Sequence, residues 1–481
     1  MNLAASSRPR LPPIAFARIR PRARWRELGL LVVGAIVLVT ASISLGAVRA
    51  GRDDPTPFRP YQPVQLAVYL GALGAAHLAQ VLAGRRTDQV LLPTVGLLGG
   101  LSLLLMERLP QTLVQQTFGG TSVGLGSLQL MWLVLAVIVV TGLAIAVRSD
   151  SWLRLYKYTW AAVGIGLLLL TFAFGRDVNG ARLTLEVGPF SGQPSELLKV
   201  ILVVFLAGYL SEFRPLLVEQ ATRIGPLRLP PLPYLLPMVA MWAIALGIVV
   251  VERDLGAALL FFAVFLSLLY VATARWSYVA LGIVAFLLGS WLMYQLFEHV
   301  RDRVDIWLDP FADAQGRGYQ VVQALYAFAR GGILGTGFGA GLPIVSGRLP
   351  IPELHTDFPF AALGEELGLI GVLAILGLYL VVIERGLRIA AAAADDFRAL
   401  LATGLTLVVG VQAFIIAAGN LKVIPLTGIT LPFISYGGSS LLANGIVVGL
   451  LLALSDRGVE PPPPPRPRRR GVLGRLARGR P

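Results

Sequence analysis

The chain has 481 residues, 56% of them hydrophobic and only 14% charged, with a mean hydropathy of +0.72. Soluble globular domains carry about a quarter of their residues as Asp, Glu, Lys or Arg. A water-soluble enzyme, a disordered chain and a fibrous repeat are therefore excluded, and the sequence reads as an all-α polytopic membrane protein. The formal charge of +14 has no stacking platform or folded basic module beside it, so no nucleic-acid partner is expected.

In chain order, residues 1–26 form a basic tail containing seven Arg. Apolar stretches long enough to cross a bilayer follow at 27–48, 62–83, 89–107, 128–147, 155–175, 193–211, 233–251, 255–273, 277–297, 357–383, 399–419 and 431–455. Residues 456–481 close the chain with eight Arg and the polyproline run Pro461–Pro465. Twelve spans place both ends on one side of the membrane. With the tails inside, 27 of the 41 Lys and Arg fall on the inner side and 13 outside, as the positive-inside rule requires. The expectation is a multi-pass protein of the bacterial cytoplasmic membrane with both termini cytoplasmic. Cysteine is absent, which removes disulfides, thiolate metal sites and a cysteine nucleophile.

Residues 298–356 form a long outer segment, and a loop of that length inside a compact bundle is commonly functional. Within it, Tyr319, Val322, Leu325, Tyr326 and Ala329 fall near one helical face and predict a short helix dipping into the outer interface. Charge in or beside a bilayer is expensive, so each such residue calls for a reason. Glu196 and Lys199 are three apart and can pair, either as a structural ion pair or as the lining of a substrate cavity. Asp254 suits a helix N-cap. Asp302, Asp305, Asp309 and Asp313 recur every three or four residues. The first two fit an acidic helix end that stops before Pro310, whereas Asp313 lies beyond the proline in a glycine-bearing loop, where a carboxylate can act as a general base. The glycine-dense stretch Gly331–Gly341 reads as a tightly turning loop, since no strand leads into it and a dinucleotide fingerprint fails. His355, Asp357, Glu365 and Glu366 then gather at the entry to the tenth span. His77 and His299 lie far from His355 in sequence, so a histidine metal cluster has no support.

These segments, in this order, resemble the SEDS family, the FtsW/RodA polytopic proteins of bacterial wall synthesis. The matching stretches are Asn179–Arg182, Gln193–Lys199, Asp254–Gly256, Asp309–Asp313, Gly318–Gln320, His355–Phe358, Gly364–Gly368 and Pro432–Ser440. The family generally has ten spans, so residues 27–86 look like two additional N-terminal helices on a core of residues 87–455. The arrangement is most similar to the longer RodA-like members of actinobacteria.

The resemblance implies a peptidoglycan glycosyltransferase that polymerises lipid II at the outer membrane face, in elongation (RodA-like) or division (FtsW-like). The family's essential aspartate falls on Asp313, although Ala314 stands where the family usually has proline. Glu196 and Lys199 match a polar pair lining the family's central cavity, and His355, Asp357 and Glu365 match recurrent polar positions. Arg253, Arg330, Arg348 and Lys422 are candidates for contact with the departing diphosphate, all placed outside by the topology. A divalent cation, Mg or Mn, is compatible with this chemistry, but no motif demands one. The implied partner is a class B penicillin-binding protein, its single helix set against spans 357–383 and 399–419. Two other readings are a lipid II flippase or transporter and a non-catalytic scaffold for such a partner. A carrier fold predicts two comparable halves with midplane sites, whereas here the distinctive polar residues cluster in the second half and at the outer face.

Overall fold

A computed structural model describes residues 21–50, 60–118, 121–178, 181–187, 190–219, 222–224, 227–229, part of 236–250, 254–341 and 349–456. Its helices are α1 (Trp25–Ala50), α2 (Pro63–Ala83), α3 (Leu91–Arg108), α4 (Leu125–Ala146), α5 (Ser151–Leu155), α6 (Lys157–Phe174) and α7 (Pro194–Glu219). They continue with α8 (Leu255–Thr273), α9 (Trp276–Leu296), α10 (Glu298–Leu308), α11 (Tyr319–Gly331), α12 (Pro359–Ala391), α13 (Asp396–Asn420) and α14 (Gly438–Leu454). Ten of them are long and apolar enough to cross a membrane, and α14 is a shorter apolar helix. The expected span 233–251 is described only in part, and its described residues between 236 and 250 are helical. The chain is a multi-pass α-helical membrane protein. Short antiparallel hairpins occupy loops, among them β1 (Gln116–Phe118) with β2 (Thr121–Val123), and β3 (Arg176–Val178) with β4 (Ala181–Val187).

The last span departs from expectation. Residues 431–437 are non-helical and the helix begins only at Gly438. Pro432 and Gly437 disfavour helix there. The freed backbone is used instead: Gln412 Nε2 donates to Thr430 O at 2.8 Å, and Tyr436 N to His355 O at 2.8 Å.

Helix α3 is buried almost throughout, packed chiefly against α1, α4 and α12, while α7, α13 and α14 pack on one another in the same apolar core. Helices α1 and α2 sit outside it on glycines of α3. A Cβ at Gly99 would lie 2.5 Å from Tyr69 Oη, and one at Gly100 would meet Leu38. Such small residues let helix backbones approach closely where no hydrophobic effect drives association. Tyr69 Oη completes the seat by donating to Gly96 O at 2.8 Å.

Contacts at the helix ends sort the bundle into two faces. One face carries Arg85–Asp456, Arg385–Asp88, Arg398–Asp150 and Arg214–Asp396 ion pairs. The opposite face carries the start of α7, the end of α13 and residues 298–341 and 349–358. There Ser195 Oγ donates to Asp254 Oδ2 at 3.2 Å and Asn420 Nδ2 to Asp357 O at 2.9 Å.

Candidate functional site

Asp309 stops α10, and its side chain accepts the Phe311 N–H to open a single 3₁₀ turn, Pro310–Asp313. That turn ends on Asp313, whose carboxylate accepts Gly316 N–H and Arg317 N–H, each at 3.0 Å, with Arg317 Nε 3.6 Å away. These backbone donors and the guanidinium hold the carboxyl below its usual range, so it is ionised and exposed. The glycines around it are sterically required: a Cβ at Gly316 would lie 2.4 Å from Asp313 Oδ1, and one at Gly318 would lie 2.1 Å from Pro310 O.

Beside Asp313 lies a cleft of about 220 Å³ whose lining includes Arg303, Arg317, Lys422 and Asp357. Arg303 donates to Thr427 O at 3.0 Å, and burial lowers its pKa while Asp254 and Asp357 oppose that shift. Lys422 Nζ donates to Leu308 O at 3.3 Å, and Trp307 Nε1 to Lys422 O at 3.2 Å, which ties α10 to the end of α13. Asp357 is pushed up to about 6, chiefly by burial and further by Glu353, with Thr356 and Arg303 pulling the other way. Three cations and a carboxyl that titrates near neutrality make the cleft suited to a polyanionic group such as a diphosphate.

Gly428 lines this cleft and also a smaller cavity deeper in the bundle, bordered by Ser195, Glu196, Lys199, Asp254 and Gln412. Lys199 is 2% exposed, and its ammonium donates to Glu196 Oε2 (2.6 Å), Gln412 Oε1 (2.8 Å) and Asn444 Oδ1 (3.2 Å). All three donors of the buried charge are thereby used. Thr430 and Ser440 extend the network, their hydroxyls 2.6 Å apart. Asp254 caps α8 as expected, accepting Ala257 N–H at 3.0 Å.

The remaining predicted residues are placed elsewhere. Glu365 accepts from Arg330 Nε at 2.9 Å, which engages both, and neither lines the cleft. Glu366 pairs with Arg108 and accepts Gly339 N–H at 3.1 Å. Helix α12 is broken just after these two glutamates. Gly368 adopts φ 65°, which frees the carbonyls of Glu365 and Glu366 to accept Thr336 N–H and Gly337 N–H at 3.0 Å each. Those amides of the glycine-rich loop are thus spent on α12. His355 is buried beside Tyr436, their ring centroids 5.9 Å apart, and its Nδ1 has no partner among the described residues. Arg253 and Arg348 lie outside the described residues.

Helix α11 exists over nearly the predicted range. Val321, Val322, Ala324 and Ala327 are buried, whereas Tyr326 and Ala329 of the expected apolar face are exposed. Sequence reasoning missed Arg303, Arg317, Gln412 and Asn444. The two amides lie within apolar spans and carried a usable signal, since polar groups at membrane depth need partners. The two arginines gave none beyond the acidic spacing around them. Among the described residues no three His, Asp or Glu side chains gather into a cage. A divalent cation there would take ligands from the substrate's own phosphates.

An α-helical membrane bundle with an ionised loop carboxylate over a basic cleft is the class that fold and site define. Comparison with known proteins makes this specific. The FtsW/RodA/SpoVE family, described as "Cell cycle protein", matches residues 88–458, and the chain belongs to it. It is 40% identical over 465 residues to "Peptidoglycan glycosyltransferase RodA" of Mycobacterium tuberculosis (strain ATCC 25618 / H37Rv), covering 96% of each chain. It is 38% identical over 450 residues to the protein of that name from Mycobacterium leprae (strain TN), covering 94% of each. Among solved structures, it is similar to a chain of "Structural coordination of polymerization and crosslinking by a peptidoglycan synthase complex". That match has a TM-score of 0.60 and 26% identity, covering 77% of this chain and 98% of the other.

Proposed function

We propose that the chain is a peptidoglycan glycosyltransferase that polymerises lipid II into glycan strands at the outer face of the cytoplasmic membrane, with both termini cytoplasmic. The observation that carries this reading is the ionised Asp313 carboxylate beside a cleft lined by Arg303, Arg317 and Lys422. An acceptor sugar hydroxyl attacks the anomeric carbon of the donor, the bond from that carbon to the diphosphate oxygen breaks, and the undecaprenyl diphosphate leaves. Asp313 accepts the hydroxyl proton, and the three cations stabilise the departing charge. The Gly316 and Arg317 amides that hold Asp313 ionised also make it a weak base, so it acts late, as the hydroxyl acidifies on attack. The Glu196–Lys199 network borders the deeper cavity and orients the substrate without touching the reacting atoms. Residues 87–455 form the catalytic core, with α1 and α2 as an N-terminal addition. Relatives matching over almost their whole length carry the RodA name, which supports the elongation branch.

The partner is a class B penicillin-binding protein. Leu369, Ile370, Leu373 and Leu380 of α12 and Phe414 of α13 are each more than half exposed, a face that suits a single docking helix. Polymer formation from labelled lipid II by the purified chain with its cognate partner tests the reading. Lipid II crossing vesicle membranes without polymer would favour the flippase instead.

A further inference from the structure

The face opposite Asp313 carries a second basic cleft, which the glycosyltransferase reading does not use. It has a volume of about 490 Å³ and lies among the start of α1, the α2–α3 turn and the facing ends of α12, α13 and α14. Five arginines from four separate parts of the chain line it: Arg26, Arg86, Arg385, Arg388 and Arg398.

The acidic groups nearby account for only part of this charge. Asp88 takes Arg385 Nε at 2.8 Å, and its other oxygen takes the Val90 and Leu91 amides at 2.8 and 3.0 Å. Asp150 takes Arg398 Nη2 at 2.7 Å, and Glu384 takes Arg388. Asp456 takes Arg85 Nη1 at 2.8 Å and the Arg86 backbone N–H at 3.2 Å. The guanidinium groups of Arg26 and Arg86 make no hydrogen bond or ion pair among the described residues, and both are exposed at the cleft. Two fork-shaped donors are thus left facing one polar cavity, a geometry matched to phosphate oxygens.

Depth in the membrane says which phosphate. Trp25 adjoins Arg26 and is 76% exposed, and Trp152, Tyr156 and Trp276 are exposed at the same end of the bundle. Exposed Trp and Tyr mark the headgroup layer, so the cleft opens where lipid headgroups lie. Basic pockets between helices at that level recognise anionic headgroups.

We propose that this cleft binds the phosphate of an anionic phospholipid headgroup through Arg26 and Arg86, with Arg385, Arg388 and Arg398 supplying the surrounding field. The occupant bridges α1 to the α12–α13 end and so fastens the N-terminal helices to the core.

The test uses the full-length chain in neutral detergent, with native mass spectrometry counting retained molecules. Three probes are added separately: phosphatidylglycerol, phosphatidylcholine and inorganic pyrophosphate. Wild type should retain phosphatidylglycerol over phosphatidylcholine. The double variant Arg26→Gln/Arg86→Gln should bind it roughly thirtyfold more weakly, about fivefold for each arginine near an anionic surface. Arg214→Gln, which removes a paired arginine of the same face outside the cleft, should leave retention unchanged. Thermal unfolding of each variant reports whether it is folded, and Arg86→Gln alone, at an exposed position, serves if the double variant is not. Pyrophosphate bound by wild type and lost in the variant would keep the anion site but assign it to a soluble phosphate. Equal phosphatidylglycerol retention by folded wild type and variant, or retention of neither anion by wild type, would overturn the proposal.

Discussion

Asp313 and Asp357 show how two carboxyls of one candidate site are shifted in opposite directions by their surroundings. Asp313 is exposed and bonded to two amides, which keeps it charged as the pH falls through the ordinary carboxylate range. Asp357 is enclosed and titrates near 6. Above that pH its charge opposes a diphosphate in the cleft, and below it the three cations act with less opposition. The KM for lipid II should therefore rise by about three- to tenfold as pH passes upward through 6, the scale of one like charge about 4 Å away at a water-like dielectric, as in a cleft open to solvent. Asp357→Asn should flatten that rise, and a pH series of initial rates for both proteins checks it. Lys199 poses a different question, because removing it strands three oxygen acceptors in the bundle. Lys199→Met should lower stability by about 3–5 kcal/mol, and Glu196→Gln/Lys199→Met by less, since breaking a buried pair costs more than replacing it. Thermal unfolding in detergent would show the order.

At the scale of elements, the break in α12 is the feature that joins loop to bundle. A Cβ at Gly368 would lie 2.3 Å from Gly335 N and 2.6 Å from Ile333 O, and its φ of 65° is one that only glycine adopts freely. Gly368→Ala should push the glycine-rich loop off the helix and reduce both polymerisation and melting temperature, while Gly377→Ala, with open space around it, should change neither appreciably. The spans themselves were legible, because twenty apolar residues in a row have few alternatives. The cap at Asp254 and the helix stop before Pro310 were legible too, since local backbone chemistry decides them. The partners of Lys199 were not: Gln412 and Asn444 lie 213 and 245 residues away.

At the scale of the whole molecule, the two candidate sites lie on opposite faces. The site around Asp313 and the arginine cleft lie at opposite ends of helices whose middle is apolar. Helices α1 and α2 are held by specific contacts with the core: Tyr69 on Gly96, and Arg24 donating to the carbonyl oxygens of Thr87 (3.2 Å) and Asp88 (2.9 Å). Arg24→Ala should loosen them and expose the α1–α3 seam to protease while the core stays folded, which limited proteolysis reads directly. The proposal that these two helices are an addition to the core rests on the resemblance and not on their residues, because apolar composition alone does not reveal a helix's neighbours.

The proposed role of Asp313 is to take the proton of the attacking hydroxyl. It is tested most directly by running wild type and Asp313→Asn side by side on labelled lipid II, each with the same penicillin-binding partner, and resolving the glycan by length. Wild type should give long glycan and the variant at least a hundredfold less, with partner binding and melting temperature unchanged, within the range set by loss of a general base. Equal polymer from both would contradict it and remove Asp313 from the chemistry.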